Sequence, residues 1–231
     1  MHCVVINGTE VKGCTYHLKE MLLKEIRPKK VTEFYLPKDA PAYCTGCKLC
    51  FEQDEDLCPH ADKVKPIWEA MKAADLILFA YPVYALRTPG HVKSLLDHLA
   101  VHWIVHRPDP IMFTKTAILL TQSIGGPNGA AQRDVKTSLH WMGVPSVSTL
   151  GFTMRNGVIW DKIPRERKRD FHRKIRKFAK NYRVVQPKKL SLKGKAIFRV
   201  VKTMRKNAYN KLTLGEVPYR DLAYWMEKGW I

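Results

Sequence analysis

No stretch of this 231-residue sequence approaches the roughly 20 consecutive apolar residues that a bilayer crossing requires. The longest apolar run, DLILFAYPVYAL at 75–86, falls far short, and no basic patch leads into an apolar segment at the start of the chain. The expectation is therefore a soluble, cytoplasmic protein. Two common phosphate-binding signatures are also missing: no glycine-rich loop ends in Gly-Lys-Ser/Thr, and the G-x-G-x-x-G spacing does not occur. Acidic residues are scarce, with 21 Asp/Glu against 40 Lys/Arg and a net charge of +19. The deficit is local. Residues 1–154 hold 17 Lys/Arg against 15 Asp/Glu, whereas 155–215 hold 21 against 3, so a near-neutral body carries a basic arm.

Cysteine is sparse except in one place. Four of the six fall in YCTGCKLCFEQDEDLCPHAD (43–62), as Cys44, Cys47, Cys50 and Cys58. In a reducing compartment such a group reads as a metal or redox site rather than as disulfides, and the spacing leaves the metal open. Cys3, in an apolar run, reads as a small buried hydrophobe.

What is present in the body is alternation. Apolar runs at 2–7, 30–36, 75–82, 115–122 and 145–152 have the length of strands, several of them continuously apolar as central parallel strands are. Helical patterns separate them at Thr15–Ile26, Lys63–Ala73, Pro89–His106 and Gly129–Met142. Five such alternations predict an α/β fold with a doubly wound, five-stranded parallel sheet over 1–154, interrupted by a cysteine loop (43–60). Residues 155–231 are expected to add a basic helical C-terminal extension. In it Phe171, Ile175, Phe178, Ala179 and Tyr182 form an apolar stripe that would pack on the body, and a second amphipathic stretch carries Ile197, Phe198, Val200, Val201 and Met204.

Ligands of such sheets bind beyond the carboxyl ends of the strands. The first loop there holds Gly8, Thr9, Lys12, Gly13, Cys14 and Thr15 before a helix, which offers close backbone approach, hydroxyls and a positive dipole end to a phosphate. An ordinary strand-to-helix turn would also explain it. The third strand runs into Pro82, Val83, Tyr84 and Ala85, an apolar and aromatic wall. The fourth ends in Thr121, Gln122, Ser123, Gly125 and Gly126, where backbone amides could meet the edge of a polar heterocycle. Phosphate contacts, a flat wall and backbone donors together suit FMN.

On these loops the body resembles the flavodoxin-like NAD(P)H-dependent FMN reductases, and with the inserted cysteines it resembles their iron-sulfur flavoprotein branch. The ends of the first loop (Gly8, Lys12, Gly13, Thr15) match the family pattern, while Glu10 and Cys14 depart from it. Tyr81, Pro82, Val83, Tyr84, Lys93, Asp97 and His98 meet the second loop, and Thr121, Gln122, Ser123, Gly125 and Gly126 the third. The resemblance implies a flavodoxin-like fold, FMN as cofactor, and NAD(P)H or ferredoxin as electron donor. It further implies that Cys44, Cys47, Cys50 and Cys58, the last followed by Pro59, bind a [4Fe-4S] cluster, and that subunits associate into a homo-oligomer. Zinc, or free thiols in a non-catalytic redox-sensing module, remain alternatives. No acid or base side chain is required by electron transfer of this kind, and none is assigned.

Two features stand apart. His98, His102 and His106 recur every four residues and would share a face of the helix expected over Pro89–His106, a polar or intersubunit face more readily than a metal site. The basic arm accompanies no nucleic-acid-binding motif, so no specific nucleic acid is expected. Solvated helix faces account for its charge, and among partners an acidic redox protein ranks first.

Overall fold

The computed structural model describes residues 1–155, 159–213 and 216–231. Positions 156–158 and 214–215 of the expected extension lie outside the described residues. The strands are β1 (His2–Asn7), β2 (Lys30–Tyr35), β3 (Leu76–Pro82), β4 (Thr116–Ile124) and β5 (Ser146–Met154). The helices are α1 (Cys14–Ile26), α2 (Leu49–Glu52), α3 (Ala61–Ala73), α4 (Gly90–His98), α5 (Gly129–Trp141), α6 (Arg165–Ala179), α7 (Leu192–Tyr209) and α8 (Arg220–Glu227).

All strand pairs are parallel and their order is β2-β1-β3-β4-β5, the flavodoxin-like order. Burial follows from position. All seven residues of central β3 are buried, as its unbroken apolar run requires, whereas edge strand β2 has no fully buried residue. One sheet face presents Val4, Ile6, Ile77, Phe79 and Leu119 to α3, α4 and α5. The other presents Val5, Leu78, Ala80, Ile118 and Leu120 to α1 and α6, whose Phe171, Ile175 and Ala179 join that core. The arm's first helix therefore covers the sheet face that α1 leaves open, and its apolar stripe packs as expected. A third small core gathers Ile104, Val201, Phe198, Trp225 and Trp230, which ties α7 and α8 to the segment after α4.

The helix expected over Pro89–His106 is shorter than its periodicity suggests. It ends at His98, a single 3₁₀ turn follows at Leu99–His102, and the chain then turns so that the Ile104 amide donates to the Trp141 carbonyl at 2.7 Å. The three histidines consequently do not share a helix face. His98 Nε2 meets the Ala42 carbonyl at 2.9 Å, His102 stacks on Trp68 with ring centres 3.9 Å apart, and His106 Nδ1 meets Asp221 at 2.8 Å. Tertiary bonds from four separate segments outweigh the helical pattern there. No helix among the described residues is long and apolar enough to cross a membrane.

Candidate functional site

The carboxyl ends of β1, β3 and β4 open onto a cavity of about 260 Å³ lined by Thr9, Gly13, Cys14, Thr15, Pro82, Val83, Tyr84 and Gln122. Val11 and Ile124 complete its wall. Eight of the fifteen residues expected to touch a cofactor thus line one space. The first loop can approach so closely because Gly8 has no side chain: a Cβ there would stand 2.4 Å from Cβ of Tyr81 and 2.8 Å from Val92. Its amide donates to the Ala80 carbonyl at 2.8 Å, and its own carbonyl meets His91 Nε2 at 2.9 Å. The loop then enters α1, whose N-cap, Gly13, carries no capping side chain and whose first turn holds no acid. Glu10 is exposed and does not line the cavity. The positive end of the helix dipole is therefore unopposed by local carboxylates.

The polar lining is spare. Thr15 Oγ1 donates to Gln122 Oε1 at 3.5 Å, while Gln122 Nε2 donates to the Ser123 carbonyl at 2.9 Å. Burial pushes the Cys14 thiol up, opposed by its own backbone hydrogen bond and by the Lys168 charge from α6. That helix also brings Lys168 over the Trp160 ring (5.1 Å), which stacks on His17 of α1 at 4.8 Å. The charge stripe of the arm was legible in the sequence; its placement beside the phosphate-like loop was not, because 150 intervening residues carry no periodic trace of it.

The other expected residues lie around the cavity rather than in it. Lys12 is exposed, its ammonium 5.7 Å from the Tyr16 ring centre. Thr121 is buried and accepts from Gln132 Nε2 at 2.7 Å, on the α5 side. Ser123 donates to the Gly126 carbonyl at 2.6 Å. The amides of Gly125 and Gly126 both donate within the protein, to Met154 and Ile124 carbonyls at 2.9 and 2.8 Å. Gly125 adopts φ of +68°, which its lack of a side chain permits. Ala85 and Leu86, with φ of +48° and +63°, form a tight turn closed by two backbone bonds between Tyr84 and Arg87. Arg87 anchors that turn to Asp134 through two bonds, at 3.1 and 2.5 Å.

A second site lies in the cysteine loop. Gly46 and Lys48 take left-handed φ angles of +70° and +63°, and so fold Cys44, Cys47 and Cys50 around a short backbone. Cys44 and Cys47 are exposed, whereas Cys50 and Cys58 are half-buried and line a cavity of about 220 Å³ with Asp54, Glu55, Trp68 and His98. Burial pushes the Cys50 thiol up, and the charges of Cys58, Cys44 and Cys47 add to that, so the four sulfurs share one electrostatic neighbourhood. Cys58 Sγ lies 3.6 Å from His98 Nδ1. Since the other ring nitrogen faces a carbonyl, Nδ1 of the neutral ring is the acceptor for the thiol. Among the described residues no three His, Cys, Asp or Glu side chains converge on one point. Four thiols in one short loop, two of them lining the cavity, nonetheless match by donor chemistry what a thiolate-bound cluster requires.

Cys3 is fully buried in β1 and its thiol is pushed up to about 12 by burial and the nearby Glu33, in keeping with a packing role. His102 is pushed down to about 3 by burial, with the Arg107 and Lys72 charges adding to it.

A parallel sheet in this order, with a glycine-floored cavity at its carboxyl ends and an uncapped helix pointing into it, defines a flavodoxin-like mononucleotide-binding protein. Residues 1–158 match the NADPH-dependent FMN reductase family, and the chain belongs to that family. It is 29% identical over 129 residues to an iron-sulfur flavoprotein of Methanosarcina thermophila, a match that covers 55% of this chain and 64% of that relative's length. Among solved structures it is similar to an FMN-dependent NADH-azoreductase of Bacillus anthracis in complex with FMN, at 8% identity and a TM-score of 0.58, covering 80% of this chain and all of that one. The NAD(P)H:quinone oxidoreductase of Methanothermobacter marburgensis is similar at 14% identity and a TM-score of 0.58, with 78% and 96% covered. At such identities these two structures speak for the fold alone.

Proposed function

We propose that the protein is an FMN-dependent oxidoreductase that accepts electrons from a reduced nicotinamide or from ferredoxin, with a [4Fe-4S] cluster on Cys44, Cys47, Cys50 and Cys58. The observation that carries the flavin reading is the cavity at the carboxyl ends of β1, β3 and β4, bounded by an uncapped helix start and an apolar wall. Gly13, Thr15 and Thr9 would hold the phosphate, Pro82, Val83 and Tyr84 would lie against the ring system, and Gln122 would meet a polar edge. A bound FMN supplies exchange of a two-electron hydride with single-electron transfer. The chain's own residues would orient the cofactor and exclude water from its apolar face, and the cysteine loop would supply four thiols to one group. Apolar Val11, Leu86 and Ile124, all exposed around the cavity, support association of subunits at this end of the sheet. On α7, a basic row of Lys195, Arg199, Lys202 and Lys206 is exposed, which supports docking of an acidic redox partner.

The cluster reading rests on the cysteine spacing, on the shared neighbourhood of the four sulfurs and on the similarity to an iron-sulfur flavoprotein. Its test is an absorption spectrum of anaerobically purified protein, with iron, sulfide and zinc assayed on the same sample. The expected result is flavin bands with about four iron and four sulfide per chain. Flavin without iron would leave a flavin or quinone reductase; zinc without flavin would leave a non-catalytic module.

A further inference from the structure

The cysteine loop is held from a distance. Arg107, 1% exposed, donates to the carbonyls of Cys50 and, at 3.2 Å, Phe51. The same guanidinium pairs with Glu55 at 3.2 Å and with Asp221 of α8 at 2.8 Å. Asp221 also meets His106 Nδ1 at 2.8 Å and Arg205 of α7 at 3.0 Å. One residue earlier on α8, Arg220 reaches Asp54 at 3.4 Å. Asp54 in turn accepts from the Asp56 amide at 3.0 Å and so caps the 3₁₀ turn that leads into Cys58. A buried guanidinium is costly without full pairing, and here all its partners belong either to the cysteine loop or to the C-terminal helix.

We propose that Arg107 and Asp221 are positioning residues for the cysteine loop, and that α7 and α8 act as a strap that sets Cys50 and Cys58 for joint ligation. The role of the thiols as cluster ligands rests on the reading given above. The strap itself is a statement about the protein, and holds with or without iron. A fork of five donors suits Arg107 to two carbonyls and two carboxylates at once, a task that lysine cannot perform.

The test uses the full chain with Asp221→Asn and Arg107→Lys. Iron and sulfide are measured after anaerobic reconstitution with ferrous iron and sulfide, FMN binding by fluorescence, and thiol accessibility by iodoacetamide labelling of metal-free protein, read cysteine by cysteine. Both variants are expected to bind FMN as the unaltered chain does. Both should lose iron to a chelator about 10–100-fold more readily, the usual effect of removing an outer partner of a metal ligand. In metal-free protein, Cys50 labelling should rise toward the rate of exposed Cys44. Unchanged iron retention and unchanged Cys50 labelling would overturn the proposal. So would loss of FMN binding together with iron, since the pair would then serve the general fold. An unaltered chain that takes up no iron would sink the cluster reading only, and the strap would be decided by the labelling rates.

Discussion

The two sites of this molecule are built in opposite ways. The cavity at the sheet's carboxyl ends is assembled from three strand-to-helix loops, each fixed by the strand before it, so its walls are as rigid as the sheet. The cysteine loop has no strand beneath it. Two of its sulfurs are exposed, and its inner half is tied to Arg107, itself paired with Asp221, and to Arg220, which come from other parts of the chain. One site should therefore answer to local backbone changes and the other to remote charges.

The sharpest way to break that contrast is Gly8→Ala. The added methyl must displace Tyr81 or Val92, and overpacking of this kind costs about 1–3 kcal/mol. Thermal unfolding should shift down accordingly and FMN affinity should fall, while the iron taken up per folded chain stays unchanged. Equal loss of iron would mean that the two sites are one mechanical unit.

Acid should distinguish the sites next. His102 lies on the cysteine side, stacked on Trp68, and titrates near 3 in the fold against an ordinary value of 6.5. The unfolded chain thus binds the extra proton first. The stability contributed by the neutral ring is complete above pH 6.5 and is lost progressively as pH falls toward 3, at up to about 1.4 kcal/mol per pH unit. Urea unfolding measured across that window should show the slope, and His102→Phe, which keeps an aromatic ring on Trp68, should flatten it. A slope that survives the substitution would assign the effect to other groups.

Smaller effects should sharpen the comparison. Thr15→Ala removes a hydroxyl from the cavity and should weaken FMN binding by about 1 kcal/mol, a factor of roughly five, with no change in iron. Lys65→Ala breaks an exposed pair with Asp56 on the cysteine loop and should change neither melting temperature nor iron content, because exposed pairs hold little. A clear loss of iron in that variant would show that the loop depends on surface charge as well as on the buried network.

Both sites were partly legible beforehand, for different reasons. The five strands and the loops after them could be read because continuous apolar runs between helical patterns admit few other arrangements, and the observed strands differ from the expected ones by at most two residues at either end. The four clustered cysteines could be read because their spacing is local. The break after His98 could not: the helical pattern and the four-residue recurrence of histidines continue past it, and only the pull of Ala42, Trp68 and Asp221 on three successive histidines divides the segment. Nor could spacing reveal that Gln122 and Thr15 face one cavity while Thr121, one residue away, faces α5, since strand alternation leaves open which side carries the ligand.

What the amino-acid sequence determined by itself was whatever depends on neighbours along the chain: strand and helix content, parallel topology by short right-handed crossovers, the glycine-bearing loops and a tight group of thiols. What only the tertiary structure decided was pairing across distance. It laid the basic helix α6 over the open face of the sheet, sank Arg107 beneath the cysteine loop, and brought Asp221 from the last helix to meet it. The reason is physical: a buried charge must find its partners wherever packing delivers them, and nothing in local spacing records where that is.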